Sequence, residues 1–197
     1  MEKATDWVEW VLTCGTVAAS VIILFLFLKR DWKRYGGLFL LSSCVGLILC
    51  ELFLLLGFYV FPFHLFSSIF NMPVAELGLS FPVIVLLTVT FSPRRWPWKI
   101  PFYWGVVHLG IIAETWALSE TSIINYSYKW HLWESYTWWW IYLLIFEWIG
   151  GLLIPAELRR PLAIRHLRVG KLGWAILHFI LIITIFLGGY YMGTLRK

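Results

Sequence analysis

The chain has 197 residues, of which 60% are hydrophobic, 19% aromatic and only 14% charged, with a formal net charge of +5 and a mean hydropathy of +0.78. So apolar a balance excludes an ordinary soluble domain and predicts an all-α, polytopic membrane helix bundle. The positive charge is explained by orientation and by anionic headgroups rather than by nucleic acid, because no basic patch is interleaved with exposed aromatic residues.

A spanning helix needs roughly 20 mostly apolar residues, and six such runs follow one another near 8–28, 37–60, 74–92, 101–118, 137–157 and 172–193. Together they fill 1–197 as a single transmembrane domain. The first run is read as a retained helix and not a cleaved signal, since Glu2, Asp6 and Glu9 flank it and its apolar part is too long.

Lys29, Arg30, Lys33 and Arg34 fall between helices one and two, and Arg94, Arg95 and Lys99 between three and four. Arg159, Arg160, Arg165, Arg168 and Lys171 fall between five and six, so twelve of the sixteen basic residues share one side. The positive-inside rule makes that side cytoplasmic. Both termini and the stretch from Glu114 to Trp140 are then extracellular, in a multipass protein of the cell membrane.

Pro82 in helix three and Pro155 near the inner end of helix five each remove a backbone donor, which predicts local unwinding. Gly150 and Gly151, and Gly189 with Gly193, allow neighbouring backbones to approach. Cys14, Cys44 and Cys50 lie inside apolar runs with no C-x-x-C spacing, and no H-x-x-x-H or E-x-x-H pattern is present. Neither a metal nor a cofactor is expected.

The acidic residues carry more information. Counted at 1.5 Å per residue, Glu51 lies roughly 13 Å, Glu76 about 5 Å, Glu114 about 6 Å and Glu147 about 15 Å below the outer boundary. A carboxylate in hydrocarbon is costly and normally faces a bundle interior or a wet cavity. Glu51 and Glu147 are therefore the first candidates for acid-base chemistry, with Glu114 beside them, whereas Glu76 and Glu114 are shallow enough to reach headgroup water. On a helical wheel Glu147 shares its face with Trp140, Leu143, Leu144, Gly150, Gly151 and Ile154, and that face is expected inward. His108 and His178 fall below the glutamates, about 10 Å from the cytoplasmic boundary. They fit either a proton path or two local hydrogen bonds.

Between helices four and five, tryptophans and tyrosines crowd the outer interface. Trp138 and Trp139 read as an aromatic belt at headgroup level. Trp116, Tyr126 and Trp130 are tied to Glu114, Glu120 and Thr121 in a compact turn and are expected to roof a cavity, with Glu76 and Trp140 among its ligand-binding residues. Aromatic faces beside carboxylates suit a cationic or flat apolar ligand.

The pattern Glu114-x-Trp116, then Thr121, Ile124-x-Tyr126 and Trp130, resembles the signature of a family of small multipass membrane proteins from endospore-forming bacilli and clostridia. Glu51 in helix two and Phe81-Pro82 in helix three are similar too, so the likeness covers roughly 40–150. It implies a bacterial membrane protein and no particular activity. The architecture is also similar to that of integral-membrane terpene cyclases and sterol isomerases, an analogy without a matched motif.

The expected function is an outward-opening pocket lined by Glu51, Glu114 and Glu147 that binds a small amphipathic or lipid-like molecule, an isoprenoid among the candidates, with or without acid-base chemistry. A proton- or cation-coupled permease is the alternative from another class, and a structural partner in a spore or envelope membrane is a third. Membrane lipids are the expected partners, and the sequence does not set an oligomeric state.

Overall fold

The computed structural model describes residues 6–66, 71–127, 129–163 and 170–194. The two terminal segments, and Arg165 and Arg168 of the basic set, lie outside the described residues. Helices α1 (Asp6–Arg30), α2 (Trp32–Leu55), α3 (Val74–Phe91), α4 (Trp96–Glu120), α5 (Leu132–Leu153) and α6 (Gly170–Thr194) make up the fold, with one short strand pair, β1 (Tyr59–Val60) and β2 (Asn125–Tyr126). Three of them, α1 from Trp7, α2 and α3, are long and apolar enough to cross a membrane.

Local chemistry sets the helix ends. Asp31 accepts a hydrogen bond from the Arg34 N–H at 3.1 Å and starts α2 immediately after α1. The expected helix over 37–60 stops instead at Leu55, because Gly57 adopts a left-handed φ of 70°. The Gly57 N–H then reaches Leu54 O and the Phe58 N–H reaches Phe53 O, which closes a Schellman turn. Phe53 and Phe58 cover that turn with rings 5.9 Å apart, and the chain leaves as β1 instead of continuing as helix.

Pro97 lies within the first two positions of α4, where its fixed φ favours a helix start, so α4 begins at Trp96 and takes Lys99 into its first turns. α5 begins at Leu132, earlier than the expected 137, with the Glu134 carboxylate accepting from the His131 N–H at 2.9 Å. It ends at Leu153, so Pro155 terminates the helix where local unwinding was expected. Pro82, by contrast, stays inside a continuous α3.

α3 occupies the centre. Gly78, Pro82, Val83, Val85, Leu86, Thr88, Val89 and Thr90 are buried and at 100° per residue cover more than half of its circumference, as expected of a helix with neighbours on several sides. Its Val85, Leu86 and Val89 meet Tyr35 and Leu38 of α2, Tyr103 and Val107 of α4, and Tyr142, Leu143 and Phe146 of α5. A second, smaller cluster of Cys50, Phe53, Tyr59 and Trp130 sits beneath the strand pair.

The close approach of α3 and α5 depends on Gly150, where a Cβ would lie 2.5 Å from Val89 Cγ1. In α6 the contact glycine is Gly188, which lies under the Trp133 ring; among the described residues nothing lies within contact distance of a Cβ built at Gly189 or Gly193.

The bundle has two chemically distinct ends. At one, β1 and β2 pair antiparallel with Tyr59 opposite Tyr126 and Val60 opposite Asn125. There the buried Glu9 of α1 accepts the Ser122 N–H, and the Phe63 N–H reaches Ser122 O at 3.1 Å. At the other end lie Lys29 to Arg34, Arg94 to Lys99 and the segment after α5, held by the Tyr35 hydroxyl on Leu158 O at 2.9 Å. These are called the strand end and the basic end below.

Candidate functional site

Two glutamates organise the two ends. At the basic end Glu147 is 2% exposed. Its Oε1 pairs with Lys99 Nζ and accepts from Arg159 Nη1 at 3.3 Å, and its Oε2 accepts from the Tyr103 hydroxyl at 2.5 Å and the Ser92 hydroxyl at 3.0 Å. Lys99 and Tyr103 are four residues apart and so project from one face of α4. Ser92 caps the end of α3, and the contact at Gly150 brings that end to α5.

Arg159 arrives on a return segment. After Pro155 the chain doubles back, the Arg160 N–H donates to Thr90 O at 2.8 Å and the Leu162 N–H to Phe91 O at 3.0 Å. Arg159 Nε donates to Ile154 O at 3.2 Å, while its buried Nη2 has no partner among the described residues.

Burying an ion pair is tolerated only when the geometry and the remaining hydrogen bonds are good. Here every oxygen of Glu147 is served, yet the centre holds two cations to one carboxylate. A cavity of about 480 Å³ opens beside it, lined by Ser92, Arg94, Lys99, Gly151, Glu157 and Arg159 among others.

At the strand end the donors to Glu114 among the described residues are all neutral. Its Oε1 accepts from the Tyr126 hydroxyl at 2.6 Å and the Ser135 hydroxyl at 2.7 Å, and its Oε2 from Trp139 Nε1 at 3.1 Å. Trp130 Nε1 in turn donates to the Ser135 oxygen at 3.1 Å. Burial, and then the adjacent Glu114 charge, push the Tyr126 phenol well above its ordinary value, so it serves as a donor. Phe53, Phe58 and Tyr59 pack their rings on Trp130 at 5.0, 5.1 and 5.5 Å and complete the knot.

The second cavity, about 490 Å³, adjoins this knot and is lined by Glu51, Leu54, Leu55, Val60, Phe61, Pro62, His64 and Asn71. One wall is β1 and its continuation. β1 is registered on β2, and β2 is fastened through Tyr126 to Glu114. Glu114 therefore positions the wall of the cavity instead of lining it.

These partners do not bring Glu51, Glu114 and Glu147 into one chamber, as the sequence leads one to expect. Trp139, which binds Glu114, and Glu147 lie eight residues apart on α5, roughly 12 Å of helix rise, and Glu147 turns to the basic end. A helix starting at 137 would set Glu147 five residues nearer the strand end than the observed start at Leu132 does. Tyr126 and Trp130 do join Glu114, whereas Trp116 is 45% exposed and stands apart. Trp138 and Trp139, expected in a belt, point inward: Trp138 packs on Phe53 at 4.9 Å, and Trp139 stacks on Phe81 at 4.7 Å while binding Glu114.

Glu76 accepts from the Leu65 N–H at 3.0 Å in the first turn of α3, and its second oxygen is buried without a partner among the described residues. Trp140 packs against the main core. His108 Nδ1 lies 2.8 Å from Trp104 O and His178 Nδ1 2.8 Å from Trp174 O, each one turn back on its own helix.

Sequence reasoning missed Lys99, Tyr103, Ser92 and Arg159 as partners of Glu147, and Ser135 as a partner of Glu114. Pro97 was the available signal for Lys99, because a helix that starts at Trp96 places Lys99 beside the core. Compared with protein-family models, with curated proteins and with solved structures, the chain matches none.

Proposed function

We propose that the protein spans a bacterial cell membrane six times with both termini outside, and that its strand-end cavity binds a small amphipathic, lipid-like molecule. The observation that supports this reading is the composition of that cavity: a single carboxylate, Glu51, on a wall otherwise built largely from Leu54, Leu55, Val60, Phe61 and Pro62. A volume of about 490 Å³ suits a small ligand. The apolar wall takes its hydrocarbon part, and Glu51 meets a cationic or hydrogen-bond-donating head.

The surface of the bundle supports the membrane setting. Ile22, Phe25 and Leu26 of α1, Leu40 and Ile48 of α2, and Ile182, Ile185 and Phe186 of α6 are exposed. Continuous apolar surface of this kind is stable against lipid and not against water. The basic end becomes cytoplasmic under the positive-inside rule, which puts the strand-end cavity on the outer side. The bacterial assignment rests on the resemblance carried by Glu114, Trp116, Thr121, Ile124, Tyr126 and Trp130.

Binding is tested with the purified chain in phosphatidylcholine nanodiscs, titrated with octylamine, octanol and geraniol. Octylamine is expected to bind at least tenfold more tightly than octanol, and Glu51→Gln should erase that difference. Equal affinities in the parent protein would sink the ligand reading. Proton-coupled uptake into liposomes that is lost in Glu51→Gln would select the permease instead. Orientation is tested separately, with single cysteines at positions 31 and 97 (basic end) and at 123 (strand end) in a background lacking Cys14, Cys44 and Cys50. Only the cysteine at 123 should react with an impermeant thiol reagent in intact cells.

A further inference from the structure

The basic-end cavity carries an imbalance that the strand-end reading does not use. Lys99 and Arg159 are both largely buried, with side chains 11% and 15% exposed, and they share the one carboxylate of Glu147. Glu147 holds them from behind and does not itself line the cavity. Arg94 and Glu157 at the lining offset each other in charge, so the space faces a net positive centre.

Arg159 Nη2 is buried with no partner among the described residues, and it lies 3.5 Å from the position that a Cβ on Gly151 would occupy. Gly151 lines the same cavity. A buried guanidinium nitrogen without an acceptor costs free energy that a bound anion would recover. Carboxylate and phosphate are the anions whose geometry fits the guanidinium fork, and with a lysine beside it phosphate is the stronger match.

We propose that the basic-end cavity binds a phosphate group, with Arg159, Lys99 and Arg94 as its donors. The remaining walls, Pro93, Ile154, Ala156 and Pro161, are apolar and suit the glycerol or acyl portion of a phospholipid. With the basic end cytoplasmic, as proposed above, the cavity lies at the leaflet richest in anionic lipid. Phosphate recognition itself does not depend on that orientation, and free phosphate satisfies the same donors.

The test uses the full chain in nanodiscs of phosphatidylcholine alone, or doped with phosphatidylglycerol or phosphatidic acid, with lipid retention read by native mass spectrometry. A parallel arm measures the thermal shift with inorganic phosphate. Retention of the phosphomonoester or anionic phosphodiester lipid is expected to exceed that of phosphatidylcholine by at least tenfold. Gly151→Leu, which fills the space without changing charge, and Arg94→Gln should each reduce that preference three- to tenfold.

A shift with inorganic phosphate, lost in Gly151→Leu and accompanied by no lipid preference, would identify a soluble phosphate compound as the source and uphold the site. Equal retention of all lipids with no phosphate shift would overturn the proposal. So would a preference left unchanged in both variants. Octylamine binding at the strand end should survive Gly151→Leu, which separates this result from that of the other cavity.

Discussion

Glu147 and Glu114 lie in the same bundle and each takes three or more donors, but the donors differ in kind. Glu114 is held by two hydroxyls and an indole, all neutral, and ring packing on Trp130 closes the space around it. Glu147 is held by two cations and two hydroxyls and has a cavity at its side. A neutral donor set can close on itself and act as a rivet, here fixing Tyr126 and with it the register of β1. A set of two cations and one carboxylate leaves charge over, and leftover charge calls for water or a ligand. The contrast separates a positioning cluster from the proposed binding centre.

Breaking the charged cluster should have the largest effect. Glu147→Gln keeps the shape but leaves Lys99 and Arg159 facing each other without a countercharge, a loss of about 3–5 kcal/mol for a broken buried pair. The expected outcome is a marked fall in thermal unfolding temperature in detergent. Glu147→Gln combined with Lys99→Met should recover part of it, since the second change removes one of the stranded charges. If Glu147→Gln unfolds at the parent temperature, the centre is not a coupled ion cluster.

An intermediate effect is expected from Trp139→Leu. It removes a hydrogen bond to a carboxylate and the stacked contact with Phe81, roughly 2–3 kcal/mol together. Trp116→Leu, at an exposed ring with no such partners among the described residues, should stay within about 0.5 kcal/mol. Equal effects from the two would mean that both float at the interface and that Glu114 has no indole donor in solution.

Tyr126→Phe should fall between these two, because it deletes only the hydroxyl on Glu114 and costs about 1–3 kcal/mol as one charge-assisted hydrogen bond, at the lower end because Ser135 and Trp139 remain. Its sharper readout is hydrogen exchange. The Ser127 N–H, bonded to Phe58 O at 2.9 Å beside the strand pair, should exchange faster in the variant while the amides of α3 do not change. Unchanged exchange at Ser127 would show that Glu114 does not hold the strands in register.

Composition and run length were enough to read an all-α bundle of six helices, because apolar runs of about 20 residues separated by charge leave few alternatives. The placement of Gly150 against a neighbouring helix followed from small size on an apolar face, and the inward aim of Glu147 from periodicity alone. The association of Tyr126 and Trp130 with Glu114 was legible because the chain must turn back between the end of α4, which carries Glu114, and the start of α5.

What the sequence left open were relations between distant segments. Whether Glu147 faces the strand end or the basic end depends on where α5 starts, and a start displaced from 137 to 132 moves the carboxylate by roughly 7.5 Å along the helix axis. Lys99 and Arg159 stand 48 and 12 residues from Glu147. No local spacing announces that they meet, because the Pro155 turn and the α3–α5 contact at Gly150 decide it in three dimensions. Trp139 looked like an interface anchor for the same reason. Its side of α5 becomes interior only once α3 supplies Phe81 to stack on it and α4 supplies Glu114 to accept its N–H hydrogen bond.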